Sequence, residues 1–294
     1  MNVSMLPHYV QSFVAKRLRT IAELLNQRAD LIEARRSLTK QQRYILKKNS
    51  IFAERHKDQP AFVIVNGPSL ATQDLMRLKN QITFVASGFW KHEAVLSWQP
   101  TYYSLSDGNY FNNNPPNLQF FKSLNERIHS STFFVPLYRG FDAVHKYGLL
   151  PVDRTYYMAT VGTNVSHNDL TGIIQGFGSV SAFALSQAIY MGCSPIYLLG
   201  FDHDYLANRG VDRHFYSGGT MIGQRDANIP LGDRISYDDE MRANLGLWAN
   251  YRALKAIADK KGIQIFNCTR GGYLDVFPRL NYESINIGDD QHAV

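Results

Sequence analysis

From Ala61 onward, short apolar runs alternate with stretches of helical periodicity, and the alternation predicts a layered α/β fold. Phe62-Val63-Ile64-Val65 is β-branched and uninterrupted, the pattern of a strand buried on both faces. Further strands are expected over residues 82–86, 101–105, 132–135, 155–158, 196–199 and 263–267. Gly88 opens an amphipathic stretch that runs through Trp98. Ser179 opens a helix over 182–191 that closes at Gly192. A longer helix over about 238–261 stops at Gly262. Strand, helix and strand in repeated succession make a doubly wound, mostly parallel sheet.

In such sheets ligands bind beyond the carboxyl ends of the strands, so the polar strand-end phrases are where chemistry is sought. They are Asn66-Gly67-Pro68-Ser69, Ser87-Gly88, Asp107-Gly108-Asn109 and Asp202-His203-Asp204-Tyr205. The first follows the opening strand. Gly67 tolerates angles that other residues avoid, and Pro68 fixes φ for a turn or a first helical position. A tight turn of this kind is expected to leave free amides at a helix N-terminus, where an anion is favoured. It is neither a Walker phosphate loop, which needs Lys-Ser/Thr after its glycines, nor a Gly-x-Gly-x-x-Gly dinucleotide turn. The plain alternative is a turn and nothing more.

The segment 207–236 has little apolar periodicity and several glycines, and it carries Asp212-Arg213-His214-Phe215-Tyr216 near its start. A loop of that length in a compact domain reads as a lid over an active site. Asp202 to Tyr205 and His214-Phe215-Tyr216 together gather two histidines, two carboxylates and two tyrosines. His203 and His214 are both candidates for a general base, since an imidazole takes a proton near neutrality. Tyr205 and Tyr216 are candidate donors to a leaving phosphate. The same groups can bind a metal or simply brace the loop. Ser179 reads first as an N-cap and then as a nucleotide contact. Tyr237-Asp238-Asp239-Glu240 reads as a helix start with carboxylates opposing the dipole. Arg270 can reach a phosphate.

Charge changes the picture at one end only. Residues 1–55 hold 11 Lys+Arg and 4 Asp+Glu, a net of +7, while the rest hold 20 and 21, a net of −1. This basic arm has roughly helical apolar spacing at Phe13, Val14, Leu18, Ile21, Leu24, Leu25, Leu31 and Ile32. We expect a helix packed on its own domain or on a second copy, with a contact to an anionic membrane surface as the other reading. The division expected is an arm over 1–55 and a nucleotide-binding transferase domain over 56–294. Cys193 and Cys268 in apolar surroundings suit core packing in a reducing cytoplasm. Residues 1–20 lack an uninterrupted apolar stretch, so no signal peptide is expected, and no stretch is long enough to span a membrane.

The phrases Asn66-Gly67-Pro68-Ser69-Leu70, the run from Ser179 to Leu199 and Gly200-Phe201-Asp202 resemble the small bacterial sialyltransferases acting on lipooligosaccharide. They also resemble the related 6-hydroxymethylpterin diphosphokinase MptE-like family, formerly a domain of unknown function. The stretch from Ala188-Ile189-Tyr190-Met191-Gly192 into Ile196-Tyr197-Leu198-Leu199-Gly200-Phe201-Asp202 carries most of the resemblance, which spans roughly residues 60–275. It implies a Rossmann-like fold and an inverting, metal-independent glycosyltransferase in surface-polysaccharide assembly. The donor implied is nucleotide-activated, such as a CMP-linked keto-sugar acid, and the acceptor a cell-surface glycan. Asn66, Gly67, Pro68 and Ser69 would then lie at the nucleotide together with Ser87, Asp107 and Asp202. Ser179 would lie near its phosphate or the sugar carboxylate, Tyr205 at the leaving phosphate and His214 at the acceptor, with His203 the rival base.

Two positions depart from the sialyltransferase pattern: Ser87-Gly88 and Asp107 stand where that group carries asparagines. An aspartate suits a ribose hydroxyl or a magnesium ion, which leans toward the MptE-like branch. The second reading is therefore a diphosphokinase using ATP, with magnesium held by Asp107 and Asp202. A third is a nucleotide-binding protein without chemistry. The expected setting is cytoplasmic or peripheral to the inner membrane, with no nucleic-acid partner, no cofactor under the leading reading, and a homo-oligomer as a further option.

Overall fold

The structure is a computed structural model and describes residues 8–162, 165–208, 211, 213–217 and 236–287. Two helices come first, α1 (His8–Ser37) and α2 (Lys40–Lys47). There follow β1 (Ala61–Ile64), β2 (Ile82–Ala86), β3 (Tyr102–Ser104), α3 (Pro115–Arg127), β4 (Thr132–Pro136), α4 (Leu137–Tyr147) and β5 (Thr155–Val161). The chain closes with β6 (Ile173–Gln175), α5 (Val180–Tyr190), β7 (Ile196–Leu199), α6 (Tyr237–Lys260) and β8 (Ile265–Asn267).

All eight strands form one sheet in the order β6-β5-β4-β3-β2-β1-β7-β8, and every neighbouring pair is parallel. The sheet is therefore fully parallel and Rossmann-like, as the alternation of elements requires. Side chains divide by the two-residue period of a strand. Phe62 and Ile64 of β1 join Leu31, Leu38, Leu46, Phe121, Leu124 and Val144 on one face. Ala61, Val63 and Val65 join α5 together with Tyr251, Leu254 and Ala258 of α6 on the other. The strands read as continuous apolar runs because helices cover both faces.

Helix α5 is buried on every side from Ser181 to Tyr190. Side chains such as Leu185 and Ile189 each contribute roughly 1.5–3 kcal/mol by leaving water. Two of its buried polar residues are satisfied within the core: Ser186 donates to the Phe183 carbonyl (2.8 Å), and Gln187 accepts from Ser104 of β3 (3.0 Å).

Two expectations change. The stretch from Ser87 to Trp98 forms two short 3₁₀ turns, Ser87–Lys91 and Glu93–Leu96, rather than one helix. Ser87 takes a positive φ of 49°, and the His92 ring caps the second turn by accepting from the Ala94 amide (3.1 Å). Likewise, β1 runs into a five-residue 3₁₀ turn, Pro68–Thr72, and not into an α-helix.

Candidate functional site

Strand β1 lies between β2 and β7, so the chain leaves it in opposite directions across the sheet. That position is the topological switch point, where an open α/β sheet splits into a crevice. A cleft of about 600 Å³ sits there. Its walls are strand ends: Val65 to Gly67 after β1, Ser87 and Gly88 after β2, Ser106 and Asp107 after β3, Thr160 and Gly162 at β5, and Gly200 and Asp202 after β7. The start of α5 (Ser179 to Ser181) and one side of α6 (Ala243, Asn244, Leu247) complete it.

Of the twelve candidate residues, Asn66, Gly67, Ser87, Asp107, Ser179, Asp202, His203, Tyr205, His214 and Tyr216 line this one cleft. Pro68 and Ser69 do not; they turn behind the wall. Ser69 gives its amide to Asp202 Oδ1 (3.2 Å) and its hydroxyl to Asp202 Oδ2 (2.7 Å). The anion at this turn is thus the protein's own carboxylate, which corrects the expectation of free amides. Burial pushes the Asp202 carboxyl up from the usual range, and the two Ser69 bonds pull it part of the way back. The backbone closes the same corner: Gly67 N–H donates to the Gly200 carbonyl (3.0 Å), and Tyr273 N–H donates to the Asp202 carbonyl (2.8 Å).

Asn66 is buried, and its Nδ2 donates to the Ala86 carbonyl (3.1 Å). Among the described residues its Oδ1 has no partner. A buried acceptor without a donor is costly, and at a cleft wall it marks a place for a ligand N–H or O–H. Asp107 is exposed, and its Oδ1 accepts the Asn109 amide (2.8 Å).

A hydrogen-bonded chain runs along the far wall. Ser179 caps α5 by accepting the Ser181 amide (3.1 Å), and the two serine hydroxyls are also bonded to each other. Ser181 Oγ meets Tyr251 OH at 2.6 Å, and Tyr251 OH meets His203 Nε2 at 2.7 Å. The His203 ring packs against Trp248 and Tyr251, with a positive φ of 48° at its backbone. Burial lowers its pKa to about 4, against a small upward pull from Asp204. His203 is therefore neutral near pH 7 with Nε2 engaged by Tyr251. Ser87 and His203 are both non-glycine residues at positive φ, and such strained positions gather at functional sites.

The described part of the long loop lies over the first turn. Arg213 pairs with Asp204, and Phe215 N–H donates to the Asn66 carbonyl (3.0 Å). The Phe215 ring rests on His92 (centroids 5.2 Å apart) and Phe89 (6.4 Å). The Tyr216 ring stacks with His214 (5.1 Å) and carries Lys91 Nζ 4.2 Å from its centre. The remainder of the loop, including 218–235, lies outside the described residues.

Tyr216 seats on Gly88, where a Cβ would overlap the phenol ring. Gly88→Ala is expected to lift Tyr216 and loosen 213–217 while the melting temperature moves only about 2–4 °C. Trypsin cleavage after Arg213, followed by mass spectrometry, then speeds up severalfold. An unchanged cleavage rate would mean that Tyr216 is not held there.

Lys91, Asn250 and Tyr251 are absent from the sequence-derived candidates. Lys91 follows an apolar run and carries no motif. Asn250 accepts the Val165 amide (3.1 Å) and donates to the Phe177 carbonyl (3.0 Å), bracing the loop before α5. The helical period Leu247, Tyr251, Leu254, Ala258 puts Tyr251 on the inward face of α6. A buried tyrosine hydroxyl needs a partner, and that was the available signal. Among the described residues no three His, Cys, Asp or Glu side chains cluster as a metal site would need.

A scan against protein-family models and a search of curated proteins matched nothing. A search of solved structures found likenesses to the sialyltransferase CstII from Campylobacter jejuni. Its complex with cytidine-5'-monophosphate is 14% identical with a TM-score of 0.45, over 76% of this chain and 85% of that one. Its complex with CMP-3FNeuAc gives 12% and 0.46, over 76% and 86%. A further CST-II complex, with a trisaccharide acceptor and CMP, gives 13% and 0.41, over 76% and 86%. At these identities and scores nothing about this chain's chemistry follows from the likeness.

Proposed function

We propose that the protein is a glycosyltransferase that moves a sugar from a nucleotide-activated donor, such as a CMP-linked keto-sugar acid, to a glycan hydroxyl. The observation that carries this reading is the convergence of ten candidate residues from distant parts of the chain on one cleft at the switch point, beneath a segment bearing His214 and Tyr216. A volume of about 600 Å³ suits a ligand the size of a nucleotide sugar. The sequence resemblance described above points to the same class of reaction.

In this reading the nucleotide lies along Asn66, Gly67, Ser87 and Asp107, with the unpartnered Oδ1 of Asn66 accepting from it. His214 takes the proton of the acceptor hydroxyl as that oxygen bonds to the anomeric carbon. The bond from that carbon to the phosphate oxygen breaks in the same displacement, which inverts the centre. Tyr205 and Tyr216 hydroxyls stabilise the departing phosphate. His203, neutral and tied to Tyr251, acts as a brace for the far wall rather than as the base.

The test is a melting experiment with nucleotides. CMP and a CMP-linked sugar acid, each at about 100 times Kd and without magnesium, are expected to raise the melting temperature by about 5–10 °C. ATP is expected to raise it little, with or without magnesium. A magnesium-dependent response to ATP with none to cytidine nucleotides would sink this reading and favour the diphosphokinase. Binding with no product against a panel of glycan acceptors would favour a nucleotide-binding protein without chemistry.

A further inference from the structure

The outer side of α1 presents an apolar stripe that the described part of the domain does not cover. Leu18, Ile21, Leu25 and Ile32 are 59, 51, 65 and 55% exposed. Their spacing of three, four and seven residues places them in one line along the helix. The inner side is already committed: Leu31 is buried in the core, and Ala34 packs against it. The helix lies on β5 and β6.

Charge divides in the same way. Arg28 stands three residues after Leu25 and four before Ile32, while Arg35 and Arg36 stand three and four after Ile32, so each borders the stripe. All three are exposed. The carboxylate of Asp30, by contrast, lies toward Gly162 of the domain. Glu33, beside Ile32, is an exposed carboxylate on this part of the helix, so the outward face is apolar with a margin of three arginines against one glutamate, on a chain whose residues 56–294 sum to −1.

This composition selects among occupants. A second copy of the same face would set arginine against arginine. A nucleic acid would leave the leucines and isoleucines in water. An anionic phospholipid surface satisfies both features at once, with the apolar stripe entering the acyl boundary and the guanidinium groups on the phosphates.

We infer that α1 is an in-plane docking helix that seats the protein on anionic lipid bilayers. The inference does not depend on the chemistry of the cleft. It is tested with the full chain and phosphatidylcholine vesicles prepared with and without phosphatidylglycerol, by sedimentation at low and high salt. Binding is expected only with phosphatidylglycerol and is expected to weaken with salt. Arg28→Glu/Arg35→Glu/Arg36→Glu should lower partitioning on the order of a hundredfold. Leu18→Ser/Leu25→Ser/Ile32→Ser should lower it as well, and both variants should melt as the parent does because every changed side chain is exposed. Failure to bind phosphatidylglycerol vesicles, equal binding to both vesicle types, or indifference to either triple variant overturns the inference. So does a dimer in light scattering that the serine variant dissolves while vesicles are ignored, since the second copy is then the occupant.

Discussion

Gly67→Ala is expected to lower the melting temperature by about 10 °C, more than its size suggests. The backbone φ at Gly67 is −60°, which alanine adopts without strain. The obstacle is space, because a Cβ there would overlap the Asp202 carboxylate and the Gly200 carbonyl oxygen. Overpacking of a fixed corner costs about 1–3 kcal/mol, and displacing Asp202 from the Ser69 amide and hydroxyl adds roughly 1.5–3 kcal/mol. Calorimetry of a double-mutant cycle with Asp202→Ala identifies the cause. If the carboxylate is the obstacle, Gly67→Ala costs less in the Asp202→Ala background, though not nothing, since the Gly200 carbonyl remains. Strictly additive losses would show that the two residues do not compete for this space.

The second large effect is a loss of stability in acid that traces to His203. Burial holds its folded-state pKa at about 4, while the unfolded ring titrates near 6.5. The unfolded chain therefore binds the proton first, and acid favours unfolding. The contribution is fully present above pH 6.5 and is lost as the pH falls to about 4, with an upper bound on the order of 3 kcal/mol. His203→Asn removes the titration and keeps a residue type that tolerates positive φ. Urea unfolding of parent and variant across this range should give a difference that narrows steadily toward pH 4. A difference independent of pH would mean that the ring is solvated and that the Tyr251 contact does not bury it.

Much of the scaffold could be read from sequence because the sheet is parallel and covered on both faces. Such strands are short, mostly apolar runs, and seven of the eight are visible in the sequence. The exception is β6, whose three residues follow Gly172 and carry only Ile173 and Ile174 as signal. That strand exists because β5 continues to Val161, where Ala159, Thr160 and Val161 supply its partners. Thr160 interrupts the apolar run and hid the extension.

The cleft was legible as a set of polar phrases at strand ends, since the topology alone sends those ends to one edge. What sequence could not supply were contacts between distant segments. Ser69 and Asp202 are 133 positions apart, and no local pattern says that one occupies the other. The same holds for Tyr251, which reaches Ser181 and His203 from a different helix.

The backbone N–H of Phe215 donates a hydrogen bond to the Asn66 carbonyl, so this part of the roof of the cleft is tied to its floor. Whatever settles on that floor and steadies Asn66 also steadies the roof, and the influence runs equally in reverse. Occupancy and closure are then one equilibrium seen from two sides.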